Sequence, residues 1–365
     1  MKTTILYKAC FLLLMMPTLI FASNDNPVKE KHTKEKTIKK SFNVNADAEF
    51  GITNRYGNIN IMTWSENRIE IEVTIKVEGN NIDKVNKKLN QLDVAFQSAP
   101  NKVTAITAIN GSSSDTSWWN KRKDNNVKME INYVVKMPIT NSVRLFNDYG
   151  NINLDKLEGD AYIKCDYGKI TTKELLGDNN TLRFDYSNNC YFEYIKNGKI
   201  TADYSSFTVA KTKGLDIKAD YTKSIVEISE NVNYNCDYGS LKIENINNLE
   251  GKGDYLTLRL GNVFKTVSLR ANYGSIKIDR MASKAKSIDI NSDYVGITIG
   301  HDPNFNFNFD IDLDYGSLRE SDGFNFTNKE EEHIKKHYDG YYGSQNSGNL
   351  VKINSEYGSI TFKKL

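Results

Sequence analysis

The stretch Asp148-Tyr149-Gly150-Asn151-Ile152-Asn153-Leu154 returns, with variations, up to the C-terminus of this 365-residue chain. The returning tyrosines lie about 17 to 21 residues apart, with a doubled last gap: Tyr149, Tyr167, Tyr186, Tyr204, Tyr221, Tyr238, Tyr255, Tyr273, Tyr294, Tyr315 and Tyr357. A fixed period of this length is typical of a solenoid in which each repeat forms one coil. The sequence therefore predicts an all-β fold, a parallel β-solenoid (β-helix) of about ten to twelve short coils.

Apolar residues flank each tyrosine at alternating positions. Leu145 lies four residues before Tyr149, and Ile152 and Leu154 lie three and five residues after it. Side chains alternate across a strand, so this pattern predicts two strands that meet at a corner next to the tyrosine. We expect the following glycine to adopt the positive φ of that corner, because only glycine does so cheaply. These glycines are Gly150, Gly168, Gly239, Gly274, Gly316 and Gly358, whereas Leu256 and Val295 at the same position predict an extended crossing.

An acidic residue usually precedes the tyrosine and forms a ladder that we expect to face outward. Its members are Asp148, Asp166, Asp185, Asp203, Asp220, Asp237, Asp254, Asp293 and Asp314. Repulsion along such a file is relieved if each aspartate caps its own turn and pairs with nearby lysine and arginine. Lysine or arginine occurs three residues before and four residues after several of the tyrosines, as at Lys164 and Lys242. A solvated structural ladder is one interpretation, and an edge that binds cations or polyanions is the other.

The first residues predict export. Lys2 and Lys8 accompany an apolar run from Ala9 to Phe21 with small residues after it, so we expect a signal peptide over 1–23. No later segment is apolar enough to predict a transmembrane span in the mature chain. Removing the signal lowers the Lys+Arg count from 48 to 46, equal to the 46 acids, so nucleic acid is not an expected partner. The polar, lysine-rich residues 24–35 predict a disordered tether before β patterning begins at Thr37.

Two further regions follow from the pattern. Residues 36–141 contain a first repeat at Arg55–Ile61 and then a small β-rich capping domain with one helix, predicted from Ile82, Val85 and Leu89 on one helical face. Residues 142–365 contain the β-solenoid repeats, with an irregular insertion at about 321–349. Within that insertion we expect a charged helix over Asn328–Tyr338 and a glycine- and tyrosine-rich loop over Asp339–Asn349.

Candidate binding residues lie where the repetition breaks. Trp118 and Trp119 occupy a polar loop, where adjacent rings stack on sugars or bury in a protein partner, or else fold back onto the sheet. Tyr338, Tyr341 and Tyr342 form a second candidate group. Aromatic anchors of this kind carry much of the energy in many interfaces.

The chain lacks a recognisable catalytic or cofactor motif. Cys165, Cys190 and Cys236 remain after signal removal, an odd number, and we interpret them as free packing residues. His333 and His337 have the i, i+4 spacing of metal ligands on a helix, but the glutamate that a metalloprotease motif needs after the first histidine is absent. We therefore predict no enzyme activity, no cofactor and no metal site.

The residues resemble those of the putative adhesin family, exported bacterial β-solenoid proteins related to the head domains of autotransporter adhesins. The resemblance rests on Asn54-Arg55-Tyr56-Gly57-Asn58-Ile59 followed by Thr63-Trp64, on the Asn-Tyr-Val run before Met137-Pro138, and on the Asp-Tyr-Gly-x-Ile units. It covers most of the mature chain. It implies a β-solenoid and supplies no catalytic residues.

Three functions remain open. The first is an exported, non-enzymatic protein of binding or adhesion type that contacts a glycan or a protein surface, in the periplasm, on the outer cell surface or outside the cell. The second is a cell-envelope scaffold or sensor that acts by protein association. The third, a β-helix enzyme acting on polysaccharide, is disfavoured because no single repeat stands out with a cluster of acids and a base.

Overall fold

The computed structural model describes residues 31–109 and 127–365 as an all-β protein with one helix. Their 24 strands belong to one long, mostly parallel sheet that is not closed. The N-terminal elements are β1 (His32–Asn43), β2 (Glu49–Arg55), β3 (Ile59–Trp64), β4 (Arg68–Gly79), α1 (Ile82–Gln91), β5 (Leu92–Ala99), β6 (Lys102–Ile109) and β7 (Val127–Pro138). The predicted signal peptide and most of the predicted tether lie outside the described residues, but β1 begins at His32, five residues before the predicted start of β structure.

The repeat region contains thirteen of the described strands. They are β8 (Ser142–Asp148), β9 (Ile152–Leu154), β10 (Ala161–Asp166), β11 (Ile170–Leu175), β12 (Asn180–Asp185), β13 (Cys190–Asp203), β14 (Ser206–Asp220), β15 (Lys223–Asn235), β16 (Gly239–Asp254), β17 (Leu256–Met281), β18 (Ser287–His301), β19 (Phe307–Asp314) and β20 (Ser317–Arg319). The C-terminal strands are β21 (Phe324–Glu332), β22 (Lys335–Tyr342), β23 (Leu350–Glu356) and β24 (Ser359–Lys364).

Each repeat pairs in parallel with the next repeat at the same sequence position. On the strand before the tyrosine, Asp185 of β12 pairs with Asp203 of β13, which pairs with Asp220 of β14. After the tyrosine, Cys190 of β13 pairs with Phe207 of β14. Both series bury the apolar stripes predicted from the sequence, including Ile217 on one strand and Ile243 on the other. The period-2 pattern therefore identified the core correctly.

The N-terminal part continues the same two series of strands. β2 and β3 pair in parallel with β8 and β9, so Arg55–Ile61 stacks on the Tyr149 repeat as repeats stack on one another. Beyond them, β1, β4 and β7 pair antiparallel, and α1 packs on β4 and β1 through the buried Val85. The Asn81 side chain caps the helix by accepting a hydrogen bond from the Lys84 N–H at 3.0 Å.

The C-terminal part departs from sequence order. β23 pairs with both β18 and β19, so the last repeat inserts between two repeats that precede it in the chain. In the chain segment between β20 and β23, β21 and β22 form an antiparallel hairpin, and β22 also pairs with β19. The predicted helix over Asn328–Tyr338 is wrong. Phe326 contacts Phe324 on its own strand and Tyr338 on β22, so aromatic contacts at period-2 spacing outweighed the local helical pattern of the charged residues.

Candidate binding surface

Twelve tyrosine rings form one continuous stack along the described chain, which we call the tyrosine ladder. Consecutive ring centroids lie 4.6–5.3 Å apart and their planes differ by 1–10°. The order along the ladder is Tyr56, Tyr149, Tyr167, Tyr186, Tyr204, Tyr221, Tyr238, Tyr255, Tyr273, Tyr294, Tyr357 and Tyr315. The spacing follows directly from the distance between neighbouring strands, about 4.8 Å.

The tyrosine itself, and not the glycine after it, occupies the left-handed corner. All twelve ladder tyrosines have φ between 50° and 64°, whereas none of the six predicted glycines has positive φ. This conformation costs a non-glycine residue roughly 1–2 kcal/mol. Aromatic stacking offsets it by about 0.5–1.5 kcal/mol per pair. The turn also points the ring outward: the eleven tyrosines from Tyr149 to Tyr357 are 41–55% exposed, although strand alternation alone would place them inside.

The glycine is required by close approach of the neighbouring backbone. A Cβ atom on Gly150 would lie 1.9 Å from the carbonyl oxygen of Gly57, and one on Gly168 would lie 2.0 Å from that of Gly150. No side chain fits at such distances. Five repeats have another residue at this position: Ser187, Ser205, Thr222, Leu256 and Val295. Of these, Leu256 and Val295 are buried and lie outside the left-handed region, as predicted.

The aspartate ladder runs beside the tyrosines, and its carboxylates bond to the next repeat. The backbone N–H of Asp203 donates to Asp185 Oδ1 at 3.1 Å, and the N–H of Asp220 donates to Asp203 Oδ1 at 3.2 Å. The same bond continues at Asp237 and Asp254. The predicted outward orientation is therefore only partly right, because most of these side chains are half-buried against the neighbouring repeat.

Ion pairing contributes less to the aspartate ladder than the sequence suggested. Asp148 pairs with Arg55 at 2.9 Å and Asp166 pairs with Lys164 at 3.3 Å. By contrast, Arg259 and Lys277, four residues after their tyrosines, both pair with Asp279 of β17, which is not a member of the aspartate ladder. Burial raises the pKa of Asp185, and the neighbouring carboxylates add to the rise while the Asp203 N–H opposes it.

The aromatic residues that the sequence singled out as binding candidates do not form one exposed cluster in the described structure. Trp118 and Trp119 lie outside the described residues. Tyr338 and Tyr342 are buried, and the Tyr338 hydroxyl donates to Glu331 Oε1 at 2.7 Å. Tyr341 is partly exposed on β22, so the predicted second group does not form an exposed cluster. The sequence did not reveal the ladder tyrosines as a candidate binding surface. Their period indicated the repeat architecture, but their shared exposure depends on the φ angle at the corner.

The three cysteines are free and buried, as predicted. Burial raises the pKa of Cys165 to about 12 and that of Cys190 to about 11. Burial likewise raises the pKa of Cys236 to about 12. Thiols in this state are inert packing groups at neutral pH, because the reactive thiolate is scarcely formed.

The fold and the surface define an all-β repeat protein with an exposed aromatic ridge. In the described residues, no helix combines the length and the apolar character needed to cross a bilayer. No family model matches the chain, and no curated protein matches it.

Several solved structures are similar to the chain. They include a putative cell adhesion protein from Clostridium sporogenes, at 11% identity over 91% of this chain and 100% of that one, with a TM-score of 0.17. A putative adhesin from Parabacteroides merdae is 9% identical over 90% and 96%, with a TM-score of 0.33. A putative lipid binding protein from Parabacteroides distasonis is 9% identical over 89% and 96%, with a TM-score of 0.28. The adhesin names agree with the resemblance predicted from the sequence, but at these identities and TM-scores they supply no ligand for this chain.

Proposed function

We propose that this chain is an exported, non-enzymatic binding protein of adhesion type, built as a parallel β-solenoid, whose contact surface is the tyrosine ladder. The supporting observation is the ladder itself. Half of the roughly 150–250 Å² of a tyrosine side chain, taken over eleven rings, amounts to on the order of 1,000 Å² of contiguous aromatic surface. The largest apolar patch on a typical monomeric protein is about 300–600 Å², so a ridge of this size indicates a surface that a partner covers.

The geometry favours a protein partner over a glycan. Sugars stack on the faces of aromatic rings, and inside the ladder both faces of each ring are covered by neighbouring rings about 5 Å away. The ring edges and phenolic hydroxyls remain exposed. Burial, with a smaller contribution from the neighbouring phenols, raises the pKa of ladder residues such as Tyr238, so the hydroxyls stay protonated and can donate hydrogen bonds at neutral pH. Tyrosine edges with hydroxyls are typical of protein interfaces.

Removing two rings from the middle of the ladder tests this function. Tyr221→Asn with Tyr238→Asn deletes the aromatic surface while using the residue that best tolerates left-handed φ after glycine. The mature protein would be assayed for saturable adsorption to surfaces coated with collagen, mucin or cellulose. We expect binding to collagen or mucin and a loss of about 30-fold in the double variant, since an aromatic anchor contributes about 2 kcal/mol or more.

The matched control is Tyr221→Phe with Tyr238→Phe, which keeps both ring stacks and should retain most of the apolar contribution. All variants are compared at equal folded fraction, checked by thermal melting. Equal binding by the asparagine variant and the wild type, or binding to none of the surfaces, would contradict the proposal. Preferential binding to cellulose would indicate that the ligand is a glycan and not a protein.

The second candidate, an envelope scaffold or sensor, uses the same ridge for a partner within its own envelope. Cell fractionation with protease shaving of intact cells separates the two. Digestion of the chain on intact cells supports the adhesion-type function, whereas full protection in the periplasm supports the scaffold.

A further inference from the structure

A compact group of side chains that can ligate a metal lies on the outer face of β19 and β22. In their antiparallel register Asp312 lies opposite His337, and Asp310 lies opposite Asp339. Residues two apart in a strand share a face, so all four side chains project on the same side of the sheet. One ligand atom each from Asp310, Asp312 and His337 lie within 4.8 Å of one another.

We propose that Asp310, Asp312 and His337 bind a divalent transition-metal ion of the zinc class, with Asp339 orienting the imidazole. His337 Nδ1 lies 2.7 Å from Asp312 Oδ1, on the ligand side of the group, and Nε2 lies 2.8 Å from Asp339 Oδ2. Histidines that bind metals commonly donate their second ring N–H to a carboxylate, which fixes the tautomer and the ring orientation. Asp339 stands in that position, outside the three ligands.

A buried polar atom without a partner lies on the same strand face. Asn308 lies one outward position before Asp310 on β19, and its Oδ1 atom is buried without a hydrogen-bond partner in the described part of the chain. An orphaned amide oxygen costs about 1–3 kcal/mol. It is also a good ligand for a hard or borderline cation.

The charge of the face is consistent with a bound ion. Asp310 and Asp339 are carboxylates directly opposite each other on neighbouring strands, an arrangement that destabilises a sheet when uncompensated. Lys352 Nζ lies 3.7 Å from Asp310 Oδ2, a long distance for an ion pair. Asp312 and His337 also line an open groove of about 780 Å³, which gives an ion a route from solvent.

The donor set selects the class of metal. Two carboxylates and one imidazole suit zinc and its transition-metal neighbours, whereas calcium and magnesium prefer ligand sets made entirely of oxygen. The sequence had paired His337 with His333 on a helix. Instead, His333 lies exposed at the turn of the β21–β22 hairpin with φ 42°, and the true neighbours of His337 come from β19 across the sheet.

Isothermal titration of the mature, untagged chain with zinc chloride, after removal of metal by chelation, tests the site. We expect one zinc ion per chain. His337→Gln and Asp312→Asn should each weaken binding at least about 100-fold, and Asp339→Asn about 10- to 100-fold. The matched control is His333→Gln, which removes the neighbouring imidazole and should leave zinc binding unchanged. The buried cysteines do not compete in the folded chain.

The proposal fails if the wild type binds no zinc, or if His333→Gln weakens binding as much as His337→Gln. It also fails if calcium binds as tightly as zinc and His337→Gln leaves both unchanged, because the carboxylates alone would then hold the ion. Circular dichroism of each variant without metal checks folding. If His337→Gln unfolds the chain, Asp310→Asn gives the same test from the other strand, with the same expected loss of zinc binding.

Discussion

The Tyr-Gly pair shows how two neighbouring residues divide the demands of one corner. Tyrosine accepts a left-handed φ because the turn places its ring in a stack, while glycine is needed where a carbonyl of the neighbouring repeat leaves no room for Cβ. The usual assignment of positive φ to glycine is reversed here. A residue's role at this corner is therefore decided by what lies beside it in the neighbouring repeat.

Gly168→Ala should lower stability by about 2 kcal/mol or more, because the new methyl group would overlap the Gly150 carbonyl oxygen at 2.0 Å. Gly296→Ala is the matched control, since no atom lies within 4 Å of its added Cβ and φ is not positive. We expect its effect to stay within about 0.5 kcal/mol. Thermal melting of both variants is the measurement. Equal melting temperatures would show that the close approach relaxes freely.

A buried carboxylate near the C-terminus gives a pH-dependent prediction. Asp302 accepts a hydrogen bond from Arg280 at 2.5 Å and another from the Asn304 N–H at 3.0 Å, and these bonds lower its pKa from 3.8. A lowered folded-state pKa means that stability is fully present above about pH 4 and is lost as the pH falls below the ordinary value.

We therefore expect Asp302→Asn to melt below the wild type at pH 6 and to approach it as the pH falls toward 2. Asp322→Asn, which removes an exposed carboxylate, serves as the charge control and should show no such convergence. A gap between Asp302→Asn and the wild type that is constant with pH would mean that shape, and not charge, accounts for the loss.

At the scale of elements, α1 is the one helix in the described chain and packs on β4 and β1 in the N-terminal part. The stability of α1 depends on an N-terminal cap that is recognisable in the sequence, namely Asn81 followed by Asp83 in the first turn. In the C-terminal part, the hairpin β21–β22 pairs with β19 through β22. This antiparallel pairing covers an edge of β19 at which a strand of another chain would otherwise pair.

Asn81→Ala should destabilise α1 by about 1 kcal/mol, since the Lys84 N–H loses its acceptor. Asn86→Ala, at an exposed position inside the same helix, should stabilise it slightly because alanine has the higher helix propensity. Amide hydrogen exchange within α1 measures both. Faster exchange in Asn86→Ala than in Asn81→Ala would overturn the assignment of the cap.

At the scale of the whole molecule, the repeats share one continuous core. The three cysteine thiols lie in this core, in different repeats. We expect iodoacetamide at pH 8 to label none of them in the native chain and all three after unfolding without reductant. Simultaneous labelling through a denaturant series would show that the repeats unfold together. Early labelling of Cys236 alone would show that the array unfolds in parts, and a disulfide between any two would mean that the strand register is wrong.

The amino-acid sequence by itself determined the repeat, the strands and the core of this protein. The reason is that side chains alternate locally along a strand, so Ile217 and Ile243 reveal their burial without knowledge of any neighbour. The helix α1 followed from its own apolar face in the same way. These features depend on residues within one repeat.

Only the tertiary structure decided the ladder, the chain order at the C-terminus and the metal-ligating group. The φ of Tyr221 depends on stacking with the rings of adjacent repeats, and the insertion of β23 between β18 and β19 is a choice among nearly equivalent strand edges. His337 meets Asp312 because an antiparallel hairpin aligns β22 with β19. Each of these depends on contacts between residues far apart in the chain, which no local pattern specifies.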